Sequence, residues 1–250
     1  MPDRPNLLLF ILDDLRFDAL GATSGGVVQT PNIDKLIERG CLFERAAIEG
    51  GTVGAMCMPS RAVLHTGRRL FDLVDHGNAI PPEHTLLGEH LRAHGYECFG
   101  TGKWHNGPES FARSFNRGDD IFFGGMDDPW NTAVHEFDPT GRYEARIRSI
   151  RIPEQESTVR LRSGSHVHAG VHATDLFTDA AARFLDRHDP AVPFFLNVAL
   201  TAPHDPRSTH DRFHRMYDPS RIETSPERSI PSVRGSSTGP YASERYHSGC

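Results

Sequence analysis

The chain is short of lysine, of paired cysteines and of long apolar runs, and each shortage closes a class of function. Lys35 and Lys103 are the only lysines among 27 basic residues, and 33 acidic residues leave a formal charge of −6 over 250 residues. No basic excess draws the whole molecule to nucleic acid or to an anionic membrane, so any anion it binds must be met by local groups. The four cysteines, Cys41, Cys57, Cys98 and Cys250, show neither Cys-x-x-Cys spacing nor another zinc pattern. A disulfide scaffold and a structural zinc site are not suggested, and a reducing compartment is the default. The most apolar run, Leu7 to Leu12, is too short for a signal segment or a membrane span. The expectation is a cytoplasmic protein with no nucleic-acid and no membrane partner.

What is present is ordinary globular material: 37% hydrophobic and 24% charged residues, enough for a sizeable core. Leu7 to Leu12 is continuous rather than alternating, as in a strand buried on both faces of a parallel sheet, and it stops at Asp13-Asp14. Thr30-Pro31 opens a short amphipathic helix that Gly40 closes, and Thr85 to His94 repeats the pattern before a strand from Tyr96 to Gly100. Helix then strand recurs between His172 and Leu200. This alternation predicts an α/β fold, an α/β/α sandwich with a mainly parallel central sheet. Residues 107–170 lose the pattern, apart from a hairpin candidate at 143–161, and are expected to be an insertion or lid. Residues 223–250, rich in Ser, Pro, Gly and Thr, are expected to be a disordered or aberrant tail. The catalytic domain is bounded at 5–222.

Ligands of open α/β sheets bind beyond the carboxyl ends of the strands. Three predicted strand ends carry polar residues: Asp13-Asp14, Thr101-Gly102-Lys103-Trp104-His105, and Thr201-Ala202-Pro203-His204-Asp205. Adjacent carboxylates at such an end suit a hard divalent cation, though an isolated pair also serves as plain turn chemistry. Cys57-Met58-Pro59-Ser60-Arg61 opens a helix that Gly67 ends. Cys57 then stands where free amides favour an anion, with Arg61 four residues on pointing to the same side. A thiolate nucleophile and an inert buried cysteine are both compatible with these local features.

Cys57-x-Pro-Ser-Arg61 with the trailing Thr66-Gly67-Arg68 resembles the signature of the type I sulfatases, whose cysteine is oxidised to formylglycine by a dedicated enzyme. The strand ending in Asp13-Asp14, the Gly102-Lys103-Trp104-His105 tetrad and Ala202-Pro203-His204 follow in that family's order. The resemblance covers residues 5 to 222, the amino-terminal part of an alkaline-phosphatase-type fold. It implies a sulfuric ester hydrolase acting on a small-molecule or carbohydrate sulfate ester, with a formylglycine-generating enzyme as partner. Asp13, Asp14 and the modified Cys57 would bind Ca²⁺ or Mg²⁺. One hydroxyl of the hydrated aldehyde would attack sulfur, and loss of the other's proton would expel sulfate. Arg61 would orient the hydrate, Lys103 and His204 would hold sulfate oxygens, and His105 would hydrogen-bond the nucleophile.

The family also carries an Asp followed by Asn, His or Gln on a strand downstream of the His204 motif, and no such pair follows here, so the chain reads as truncated. Asp75-His76-Gly77 has a similar sequence but lies upstream between two predicted helices and is read as a turn. His166, His168 and His172 are read as polar loop residues, and the arginines between Arg142 and Arg162 as a solvated hairpin face. Two other readings stay open, a phosphonate or phosphodiester hydrolase using the same nucleophile and a non-catalytic remnant.

Overall fold

The computed structural model describes residues 4–51, 54, 56–151 and 158–222. In chain order, strand β1 (Leu7–Leu12) is followed by helices α1 (Pro31–Arg39), α2 (Cys57–Thr66) and α3 (Leu87–Ala93), then β2 (Glu97–Lys103), α4 (Pro108–Ser114) and β3 (Arg117–Phe122). Short strands β4 (Ala133–Val134), β5 (Arg146–Arg151), β6 (Thr158–Ser163) and β7 (His166–Val167) precede helix α5 (Ala173–Arg187) and strand β8 (Phe194–Leu200). The central sheet has the order β1-β8-β2-β3, and every pairing in it is parallel.

Side chains of successive residues go to opposite faces of this sheet and build two cores. Phe99, Phe122, Leu196, Val198 and Leu200 meet Ala173, Leu176, Phe177, Ala181 and Phe184 of the α5 segment. Cys98, Ile121 and Phe195 meet Leu91 of α3 and Phe111 and Phe115 of the α4 segment on the other face. Helices on both faces of a parallel sheet give the expected sandwich. Each fully buried aromatic or aliphatic side chain contributes roughly 1.5–3 kcal/mol relative to exposure.

Three expectations need correction. The reading of β1 as buried on both faces holds for one face only. Leu7 and Leu9 pack into the α3–α4 side, while Leu8 and Phe10 are about half exposed on the α5 side, because α5 packs across β8, β2 and β3. The insertion expected at 107–170 begins later, since α4 and β3 belong to the core. β3 escaped notice because Arg117-Gly118-Asp119-Asp120 lacks the apolar run of a buried strand, and only Ile121 and Phe122 are core residues. The hairpin is present as the antiparallel pair β5–β6. Helix α3 starts at Leu87, two residues after the expected Thr85, with Glu89 bonding back to the Leu86 amide.

A separate unit begins at Asp211 with helix α6 (Asp211–His214) and a 3₁₀ turn at Pro219–Arg221. The tail expected at 223–250 lies outside the described residues. No helix among the described residues is long and apolar enough to cross a membrane.

Candidate active site

The three polar strand ends converge. Asp13 follows β1, Lys103 closes β2 and His204 lies four residues beyond β8. Asp13 is buried, and its carboxylate meets Lys103 Nζ at 2.6 Å and an Arg61 guanidinium nitrogen at 3.5 Å. The side chain of Lys103 has no exposure, and its ammonium also donates to the Gly125 carbonyl at 2.6 Å. Arg61 donates to the Lys103 carbonyl at 2.6 Å, which ties α2 to the end of β2. Burial alone would raise the Asp13 carboxyl, but Arg61, Lys103 and His204 outweigh it and hold that group below its ordinary range.

Backbone geometry aims these groups. The β2–β3 register shifts between Gly100 and Gly102, with the extra residue on β3 between Gly118 and Ile121, opposite the approach to Lys103. Gly102 has φ +83°, and a Cβ there would fall 2.0 Å from the Ala199 carbonyl oxygen, so only glycine fits. Asp14 has φ +61°, which sets it apart from the strand direction of Asp13. Its exposed carboxylate stands 3.5 Å from His204 Nε2.

Cys57 is the first residue of α2, half-buried, and Gly67 caps the far end with φ +64°. Its sulfur, an Asp13 carboxylate oxygen and a His204 ring nitrogen lie within 4.8 Å of one another. Burial pushes the Cys57 thiol up; Asp13 and Asp14 add to the rise, and Lys103 and Arg61 oppose it. That is the opposite of what an activated thiolate needs, so the plain cysteine-nucleophile reading loses support. Nδ1 of His204 contacts the Asp205 carbonyl at 2.7 Å. A carbonyl only accepts, so Nδ1 carries hydrogen and Nε2 faces the cluster.

His105, expected to bond the nucleophile, has φ +68° and a buried Nδ1 with no hydrogen-bond partner among the described residues. Burial, then Lys103 and Arg61, lowers its pKa to about 4, so it is neutral near pH 7. Asp13 and Asp14 offer the carboxylate oxygens that a hard divalent ion takes, and an Asp13 oxygen lies within 4.8 Å of Cys57 Sγ. The donor set therefore fits a cation held by these two carboxylates at the head of α2.

A family model described as Sulfatase matches residues 5–242. The chain belongs to the sulfatase family. It is 28% identical to human iduronate 2-sulfatase, with 92% of this chain aligned to 40% of that protein. It is 27% identical to mouse arylsulfatase J, over 86% of this chain and 35% of that one. N-acetylglucosamine-6-O-sulfatase of Bacteroides thetaiotaomicron is 25% identical, over 80% and 31%. The chain thus spans well under half the length of these curated relatives. Among solved structures, Ps i-CgsB superposes with a TM-score of 0.62 at 26% identity, covering 88% of this chain and 50% of that one. BT4656, solved in complex with its substrate D-glucosamine-2-N,6-O-disulfate, gives 0.59 at 24% identity, covering 81% and 35%.

Some residues around the strand-end cluster carry no signal of residue type. His65 is buried one turn beyond Arg61 and stacks on Trp104 with ring centroids 4.5 Å apart. Burial, then Arg61, lowers its pKa to about 3. Asn106 donates to the carbonyls of Met58 and Gly77 at 2.9 and 2.5 Å, fastening the first turn of α2. Asp75–Gly77 is a 3₁₀ turn, as expected of turn residues, and Gly77 packs on Ala62. His172 is the N-cap of α5, accepting from the Thr174 amide.

Proposed function

We propose that this protein hydrolyses an organic sulfate monoester, with formylglycine formed from Cys57 and a Ca²⁺ or Mg²⁺ ion held by Asp13 and Asp14. The observation that carries the reading is the meeting of Cys57, Arg61, Lys103 and His204 around buried Asp13 at the strand ends. When bound and formed, the ion and the aldehyde hydrate supply positive charge and a nucleophile at the head of α2. Lys103 and Arg61 bring fixed cations to the place where a sulfate group gathers negative charge, in a setting that excludes water and strengthens them. His204 presents Nε2 to the same place and can hold or pass a proton there. Asp13 orients the Lys103 ammonium. His65 and Asn106 position α2 and do not touch the reacting group.

Relatives named for iduronate and N-acetylglucosamine sulfates point to a sulfated carbohydrate as the substrate class. The test is co-expression with a formylglycine-generating enzyme, peptide mass spectrometry, and assay of sulfate, phosphate and phosphonate esters of one leaving group. The expected result is modification at Cys57 alone and fastest turnover of the sulfate. An unmodified thiol in a host that modifies a control sulfatase would refute the mechanism, and faster phosphonate turnover would move the substrate to phosphorus.

A further inference from the structure

A second constellation lies outside the strand-end site. Asp120, in β3, is 1% exposed and has φ +49°, a conformation that a non-glycine residue keeps only when its surroundings impose it. One of its oxygens, Oδ1, faces two imidazoles at the same distance, His166 Nε2 at 3.4 Å and His168 Nε2 at 3.4 Å. The other, Oδ2, is held by Arg183 of α5 at 2.9 Å, and Arg183 is shared with Asp119 at 2.7 Å. The ligand-bearing atoms of Asp120, His166 and His168 lie within 4.8 Å of one another, and the two rings stand nearly perpendicular with centroids 5.0 Å apart. His168 is about half exposed, so the cluster opens to solvent on one side.

These distances are long for hydrogen bonds, which centre near 2.7–3.2 Å. They match the edge of a tetrahedral metal site: ligands about 2.0–2.1 Å from an ion stand about 3.3–3.4 Å from one another. The tautomer agrees. Ser165 Oγ lies 3.3 Å from the Val134 carbonyl and 2.8 Å from His166 Nδ1, so a hydroxyl that donates to the carbonyl accepts from Nδ1–H. In that tautomer a lone pair on His166 Nε2 faces a carboxylate oxygen that also bears lone pairs. A cation between them removes the repulsion, and an imidazole whose other nitrogen donates to a neighbour is the usual metal ligand. The local charge agrees as well, since among the described residues Asp119 and Asp120 share one guanidinium, that of Arg183.

We propose that Asp120, His166 and His168 bind a divalent transition-metal ion of the zinc class, with water completing an open coordination shell. Two imidazoles and one carboxylate favour such a borderline ion over Ca²⁺ or Mg²⁺, which take oxygen ligands. The ion clips β7 and the loop after it onto β3, fixing the excursion between β3 and α5 to the sheet. The proposal does not depend on sulfatase activity.

The test uses the purified 250-residue chain with Cys57→Ser, so that no thiol competes at the strand-end site, after chelator treatment and dialysis. Zn²⁺ titration by calorimetry and Co²⁺ absorption in the visible are the readouts. The expected result is one equivalent bound with Kd of about 10 μM or tighter, with tetrahedral-type Co²⁺ bands and no competition from millimolar Ca²⁺. His168→Ala, at an exposed position, should weaken binding by about 100-fold or more and erase the bands. His168→Gln serves if the alanine variant does not fold, and each variant's metal-free melting curve checks its fold. Zn²⁺ should raise the melting temperature of the parent but not of the His168 variant. Failure to saturate by about 1 mM Zn²⁺, or a His168 variant that binds within about threefold of the parent, would overturn the proposal.

Discussion

The strand-end cluster and the β3 cluster are built from the same materials, a buried aspartate with histidine and arginine around it, yet their charges are balanced differently. Asp13 lies against two cations, Lys103 and Arg61. Among the described residues Asp120 meets one guanidinium, Arg183, which it shares with Asp119. Burial pushes both carboxyls up, but the cations pull Asp13 below its ordinary range, whereas Asp119 adds to burial and keeps Asp120 above it. Burial alone does not set a buried carboxyl's titration; the charges around it do.

The sharpest way to break this comparison is Lys103→Ala. It should lower turnover of a modified enzyme by about 10²–10³, the scale for losing one donor to developing negative charge. It should also cost about 3–5 kcal/mol in a urea melt, because Asp13 is left buried with Arg61 alone. If His166→Ala slowed turnover as much, the two clusters would be one functional unit and the contrast would fall.

Acid should sharpen it further. His65 and His105 sit beside the cations of the strand-end site with pKa values lowered to about 3 and about 4. The unfolded chain takes up protons on these rings below about pH 6.5, while the fold refuses them until its own lower values are reached. Their contribution to stability is therefore full above about pH 6.5 and falls as pH drops towards 4, by up to about 1.4 kcal/mol per pH unit for each ring. Denaturant midpoints across this range should decline, and His65→Gln should flatten the slope. An unchanged slope would mean that the ring is protonated in the fold.

A smaller effect is expected at Ser165, whose Oγ lies 2.8 Å from His166 Nδ1. Ser165→Ala should weaken Zn²⁺ binding at the β3 cluster by about 10–100-fold and leave Asp13 and its partners untouched. Calorimetry on the variant decides this, and unchanged affinity would show that the tautomer is set elsewhere.

Much of the strand-end site could be read in the sequence because polar residues interrupt or follow apolar runs there. Leu7–Leu12 and Phe194–Leu200 are continuous enough to mark strands, and what lies just past them, Asp13 and His204, is marked by contrast. Cys57 could be placed at a helix head because Pro59 and Gly67 bracket the helix. Asn106 and Gly125 gave no such mark, since one donates to backbone carbonyls and the other offers its own carbonyl to Lys103. The β3 cluster was hidden twice. Asp119 and Asp120 disguise the strand that carries them, and His166 comes within reach of Asp120 only through the pairing of β4 with β7 and the bridge from Ile121 to His135.

The close approach at Gly102 sets an unusual tolerance to change. Any β-carbon there meets the Ala199 carbonyl at 2.0 Å, part of the backbone of the neighbouring strand, so alanine and tryptophan collide with the same atom. A saturation library should find no gradient of size or polarity at this position, only glycine and failure. At Gly125 an added carbon would meet the His105 ring at 3.3 Å, and a ring can tilt. There the library should grade smoothly from small to large. Two glycines that flank one lysine's setting, the first through the close approach of its strand to β8 and the second through the carbonyl that receives the ammonium, would thus leave different imprints: a step at one position and a slope at the other.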